Sequence, residues 1–335
     1  MRWLLAAAAL FAGVALAQTP AVPSAGSLQL LSEHAVEGMS GGNLSGLAWC
    51  SDTLWAVSDR DDDVVYRLQP DETAGSTWQA EADRFVSPPV PDTGLSWGTK
   101  ARARVSGLLR GGDEDFEGIS CDKFGNRYLV SEAYAGVLKL PFSGDPAWLE
   151  LPPSLLRQAR ASGMLMDMNA LYEGIAVDAE GKRLWLAAER QRRGLLAVHR
   201  DASAWKCGDS CVLLSEGGNV EPPAELGDDQ PRSPDFSDLV WYGDKLFTLE
   251  RLEHQICRRS LTNGAAERCW SFTSALLAPE RRYDSQYGGL AEGLAIDDKG
   301  AWIGLDNGDH ARADGDSRPR VLRFAVPSGG WLGGK

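Results

Sequence analysis

The sequence predicts an all-β fold, a ring of five four-stranded antiparallel blades, and three observations carry that expectation. First, a short segment recurs five times: Ser45-Gly46-Leu47-Ala48-Trp49, Glu117-Gly118-Ile119-Ser120-Cys121, Glu173-Gly174-Ile175-Ala176-Val177, Ser237-Asp238-Leu239-Val240-Trp241 and Glu292-Gly293-Leu294-Ala295-Ile296. A recurrence of roughly 55–70 residues belongs to solenoids, propellers and arrays. Second, each segment is followed by a turn and another apolar run that ends in an acid: Asp59, Glu132, Glu189, Glu250 and Asp306. Third, the repeats divide into short strands at even spacing. In the third repeat, strands are expected over 173–177, 183–187, 194–198 and 204–214, with turns at 178–182 and 190–193. Such a repeat is too long for one sandwich strand and suits one blade; six blades are the alternative count.

The two ends of the chain need separate treatment. Met1-Arg2-Trp3, the apolar run from Leu4 and the close Ala15-Leu16-Ala17 form the pattern of a secretory signal over residues 1–17. The run is too short to anchor in a bilayer, and no later stretch is long or apolar enough to span one. A secreted or periplasmic protein is expected, with residues 18–335 forming a single domain. The fifth repeat supplies only three strands, ending at 320–324. Its missing outer strand is expected from 27–33, which would close the ring and cover an edge.

Composition bounds the partners. The net charge of −13 excludes a nucleic-acid footprint, which needs a basic face. It suits a protein that handles cations and small molecules, and a monomer is expected. Six cysteines in an exported chain point to disulfides. Cys257 and Cys269 flank the hairpin signal Thr262-Asn263-Gly264, and Cys207 and Cys211 flank Gly208-Asp209-Ser210. Cys50 and Cys121 remain, at the ends of corresponding strands in the first two repeats.

Antiparallel pairing puts the start of the first strand and the end of the second at one end of each blade. The long connections 87–114, 152–171, 216–234 and 274–290, and the loop 307–318, emerge there too. Function tends to sit on loops over a rigid scaffold. This end therefore gathers an acid ring: Asp59, Asp115, Glu117, Glu132, Glu173, Glu189, Asp235, Asp238, Glu250, Glu292 and Asp306. Converging carboxylates repel unless neutralised. Calcium or another hard divalent cation, which takes ~6–8 oxygen ligands, would do so. The expected metal ligands are Glu117, Glu173, Glu292, Glu132, Glu189, Glu250, Asp59 and Asp306. The alternative is structural use, with the acids bonded to loop backbone or paired with arginines. Arg60, Arg190 and Arg251 follow three of these acids, and Arg281 and Arg282 lie in a loop at the same end. With Asn169 and Asn307, Arg60, Arg190 and Arg251 are expected to bind substrate, since a guanidinium fork grips phosphate or carboxylate.

Asp115-Phe116-Glu117-Gly118-Ile119, Asn169 with Tyr172-Glu173-Gly174-Ile175-Ala176, Asp235-Phe236-Ser237-Asp238-Leu239 and Ala291-Glu292-Gly293-Leu294-Ala295 are the elements of a family resemblance. In this order they resemble the exported phytase-like family, described as having esterase-like activity of phytase. The resemblance runs from about residue 44 to 324. It implies a β-propeller and a phosphoester or ester hydrolase, and it transfers no catalytic residues. A cation with arginines suits phosphoester hydrolysis, where positive charge polarises the ester and balances the charge that develops. A serine esterase is disfavoured, because no Gly-x-Ser-x-Gly elbow accompanies His34, His199, His254 and His310. The runner-up function is a non-catalytic propeller of the cell envelope that binds a ligand or partner at the same mouth. In the 152–171 connection, one or two helical turns at 155–160 and the alternating Met164, Met166 and Met168 fit either core packing or a lid.

Overall fold

The computed structural model describes residues 24–335 apart from 40–41, 72, 74, 92–113, 168–170, 203, 228–229, 286–287, 309 and 334–335. The expected export signal and Asn169 lie outside the described residues. Among the described residues the strands group into five antiparallel units. Unit one is Gly46–Cys50, Thr53–Val57, Val64–Gln69 and Thr77–Arg84. Unit two is Phe116–Cys121, Arg127–Ser131, Gly136–Leu140 and Ala147–Trp148. Unit three is Tyr172–Val177, Arg183–Ala188 and Arg193–Asp201; Ala204–Lys206 and Val212–Glu216 both pair with this third strand. Unit four is Asp238–Tyr242, Lys245–Glu250, Gln255–Arg259 and Ala266–Ser271. Unit five is Leu290–Asp297, Gly300–Asp306 and Arg320–Phe324, completed out of sequence by Leu30–Glu37.

The units pack face to face around an axis. Each of the five interfaces carries its own apolar cluster: Val65 with Ile119 between one and two, Val137 with Ile175 between two and three, and Trp185 with Leu239 between three and four. Phe247 with Leu294 joins four to five, and Trp302 with Leu47 returns from five to one. This is a closed β-propeller. Burying one apolar face of every unit against its neighbour leaves no sheet face in the ring uncovered.

The N-terminal segment locks the ring at two places. Leu30–Glu37 runs antiparallel to Arg320–Phe324, with His34 opposite Val321, and parallel to Thr77–Arg84, with Ala35 opposite Thr77. The expected strand over 27–33 straddles two real ones, because Ser24–Ser27 instead adds to Ala266–Ser271 of unit four. Buried Leu28 makes the step between units, its N–H bonding the carbonyl of Ser271.

All three disulfides join the pairs expected from the sequence, Cys50–Cys121, Cys207–Cys211 and Cys257–Cys269. The first ties unit one to unit two. The helix Pro153–Ala161 buries Leu155 and Ala159, and Met164 is buried in the same cluster, so this part of the connection is core between units two and three. Met166 is exposed, and Met168 lies outside the described residues.

Removing the chain before Asn43 would strip one edge from each of three units and expose the contacts of Leu28, Ala35 and Val36. The truncated protein is expected to aggregate, or to melt about 10 °C below the protein that starts at Gln18, read by calorimetry. A monomer with unchanged melting would show that this segment does not close the ring.

Candidate functional site

The inner strands explain both what is repeated and what is not. In units two, three and five the ladder skips one residue at the start of the first strand. Phe116 pairs with Ser131 and Gly118 with Val130, and the same step occurs between Tyr172 and Gly174 and between Ala291 and Gly293. The skipped residues are Glu117, Glu173 and Glu292. A bulge bends the strand and re-aims the extra side chain, and here it serves three repeated glutamates. In units one and four the ladder begins one residue later, at Gly46 and Asp238, and the preceding position holds Ser45 and Ser237, whose N–H groups bond the carbonyls of Val57 and Leu249. Ser45 Oγ accepts the N–H of Asp59 at 3.1 Å, and Ser237 Oγ donates to the carbonyl of Ala291 at 2.7 Å.

One residue further along, the strands nearly touch. A Cβ on Gly174 would lie 2.7 Å from the Cα of Asp238, and one on Gly118 would lie 3.2 Å from the Cα of Gly174. Glycine is required at such approaches. Asp238 alone has a side chain at this level, so it does not belong to the acid ring where the sequence placed it. Its carboxylate is buried, accepting the N–H of Leu294 at 2.7 Å and of Leu239 at 2.8 Å. Burial pushes its pKa well up, against these N–H bonds.

At the mouth, six of the remaining acids form two tight groups among the described residues. Carboxylate oxygens of Asp59, Asp115 and Glu117 lie within 4.8 Å of one another and are half-buried. Those of Glu132, Glu173 and Glu189 are equally close and fully buried. Asn43 Nδ2 donates to Asp59 at 3.0 Å, and Glu132 accepts the N–H of Leu171 at 3.0 Å. Burial, then neighbouring carboxylates, push Glu117 and Glu173 well above the ordinary range. The same causes hold Glu132 at about 8. Asp306, at the end of its strand, is pushed to about 7, mainly by burial, while its carboxylate accepts the N–H of Gly308 at 3.0 Å.

Arg251 is the internal counter-charge. It enters from unit four, where Ser237 leaves a gap in the acid series. Its Nε donates to Asp235 at 2.7 Å, its Nη2 to Glu189 at 2.8 Å and its Nη1 to Glu292. Asp235 is wholly buried and also receives the N–H of Leu252 at 3.1 Å. Arg251 was expected to bind substrate; all three of its nitrogens are committed to carboxylates. Even so, burial keeps the pKa values of Glu189 and Glu292 raised, and each retains a buried Oε2 without a partner.

Glu250, expected among the metal ligands, is paired with two arginines. Arg259 and Arg193 both pair with it, Thr248 Oγ1 donates to it at 2.9 Å, and the two guanidiniums lie over Phe236. Burial alone would raise its pKa, but Arg259 and then Arg193 outweigh that and hold it at about 2. It is a buried ion-pair member between units three and four and is not among the converging acids. Arg190 pairs with Glu189 while keeping its side chain 43% exposed. Arg60 lies near Asp306 and Asn307 follows it, both half-buried.

The family described as phytase-like, with esterase-like activity of phytase, matches residues 40–251. The chain belongs to the phytase-like family. No curated protein matches it. Among solved structures, this phytase-like chain is similar to the PQQ-bound aldose sugar dehydrogenase of Streptomyces coelicolor, at 13% identity and a TM-score of 0.45, covering 91% of this chain and 100% of that one. It is similar to the glutaminyl cyclase of Myxococcus xanthus, at 10% identity and a TM-score of 0.45, covering 89% and 97%. A third is the virginiamycin B lyase of Staphylococcus aureus, at 10% and 0.40, covering 88% and 98%.

The raised acids give stability a pH dependence. Glu132 holds its proton to about 8 in the native state, against about 4.5 ordinarily. Between those values the native state binds more protons than the unfolded chain, so stability falls as pH rises. Glu250, charged throughout, adds no slope. Chelated protein should melt higher near pH 5 than near pH 8. Glu132→Gln should raise the melting temperature near pH 8 by several degrees and change it little near pH 5. A melting temperature that climbs from pH 5 to pH 8 would contradict this electrostatic picture.

Proposed function

We propose that this phytase-like propeller is an exported, monomeric hydrolase of phosphoesters or esters, with a divalent cation such as calcium assisting at the acid mouth. The observation that carries the reading is the donor set. Three half-buried carboxylates lie within 4.8 Å of one another beside a buried trio, and one buried oxygen each on Glu189 of that trio and on Glu292 has no partner. Hard oxygen donors of this kind fit calcium or a similar ion. Asp59, Asp115 and Glu117 would hold it, with Asn43 fixing the orientation of Asp59. Bound there, the ion supplies Lewis-acid polarisation of the phosphoryl or carbonyl oxygen.

The protein's own groups do the rest. Arg190, partly exposed on the rim, and Arg60, beside Asp306, balance charge that develops on the ester oxygens. Asp306, near 7, can hold or accept a proton at neutral pH. Removal of residues 1–17 would leave 18–335 as one exported domain. The three disulfides support that reading, as does the finding that no described helix is long and apolar enough to cross a membrane. A second reading, a non-catalytic binding protein, is favoured by Arg251, which already neutralises three of the acids.

Purified mature protein should be assayed on a phosphomonoester, phytate and a short-chain acyl ester, with calcium and with chelator. Cation-dependent turnover is expected on at least one substrate, reduced about tenfold or more by Glu117→Gln, together with a higher melting temperature in calcium. A calcium response without turnover would favour the binding protein. No response of either kind would remove the cation from the account.

A further inference from the structure

A second site of opposite character lies in the loops of unit five. Segments 279–285 and 311–313, bridged by pairing of Tyr283 with Arg312 and joined by His310, enclose a cavity of about 570 Å³. The lining includes Arg282, Ser285, His310 and Arg312, and its carboxylate among the described residues is that of Asp284, which is exposed and therefore screened by water.

Several donors here are unspent. Arg312 is only 6% exposed; its Nη1 pairs with Glu33 and its Nη2 with the carbonyl of Glu280, but its buried Nε has no partner. Ser285 Oγ is likewise buried without a partner. Arg282 reaches only the carbonyls of Glu225 and Leu226, at 3.5 and 3.4 Å, and forms no ion pair among the described residues. A buried donor left unmade carries a desolvation cost, so such groups in a native structure call for an acceptor.

We propose that this cavity binds an oxyanion, the phosphate or carboxylate group of a small molecule, through Arg282, Arg312 Nε and Ser285 Oγ. The cavity lining shares no residue with the acid groups of the mouth, whose carboxylates would repel the same group, and binding here does not depend on a cation being bound there. Arg282 carries the charge, while Arg312 and Ser285 fix the direction of approach.

Calorimetric titration of inorganic phosphate, and separately of acetate, into chelated mature protein tests this, because chelation prevents a mouth-bound cation from holding the anion. Saturable binding of at least one is expected. It should weaken about tenfold or more in Arg282→Gln and several-fold in Ser285→Ala, and stay unchanged in Glu117→Gln. Phosphate binding alone identifies a phosphoryl ligand, and acetate binding a carboxylate. Ser285→Ala removes one hydroxyl and keeps the test decisive should Arg282→Gln fail to fold. If neither anion binds the wild-type protein, or if Ser285→Ala and any folded Arg282→Gln bind as wild type does, the site is wrong.

Discussion

The structure turns on the pairing of Arg251 with Asp235, Glu189 and Glu292. A ring of repeats brings whatever residue occupies one repeat position to a common axis. A repeated acid is therefore a repeated repulsion, in a place too buried for water to screen it. Three devices relieve it here. Two of the five repeats replace the glutamate with serine, Ser45 and Ser237, and these bond locally. Unit four, lacking the glutamate, sends in an arginine. The acids still uncompensated keep their protons to higher pH, as Glu132 and Asp306 do. Removing one partner of such a buried set costs more than the set contributes as a whole, because a charge is stranded.

Below the mouth, the glycine layer and Asp238 divide the axis. On the acid side the side chains are polar. On the other side a cavity of about 350 Å³ mixes apolar Leu47, Ile119, Val177, Leu239 and Leu294 with polar Ser120, Asp122 and Lys123. The carboxylate of Asp238 bonds inner-strand N–H groups that face the axis, and so lets strands with no sheet partner there stay buried. Five apolar interfaces and the Cys50–Cys121 link then hold the inner strands in place. A rigid scaffold with bulged glutamates presents carboxylates at fixed spacing, which a cation site needs and a flexible loop cannot supply.

Much of this was legible in the sequence, and the failures have physical causes. The repeat, the antiparallel pairing and the shared end of the acids followed from periodicity and turn chemistry. The disulfide partners followed from turns and from corresponding repeat positions. The alternation of glutamate and serine at positions 45, 117, 173, 237 and 292 was equally visible, but bulges depend on ladder register, which no local residue pattern states. The partners of Arg251 were not legible, because it follows the end of its strand at Glu250, where strand geometry no longer says which way a side chain goes. The partners of Glu250, Arg193 and Arg259, were not legible because they come from other strands. Asp238 was grouped with the acids by type, whereas its repeat position was that of glycine, a level set by backbone approach.

The most direct test of the central claim is the unfolding free energy of Arg251→Gln, measured by urea denaturation with chelator present near pH 8 and near pH 5. Stranding Asp235, Glu189 and Glu292 should cost about 3–5 kcal/mol near pH 8. The cost should be clearly smaller near pH 5, where the freed carboxylates take up protons. A loss under about 1 kcal/mol at both values would show that the acids of the mouth do not depend on this guanidinium.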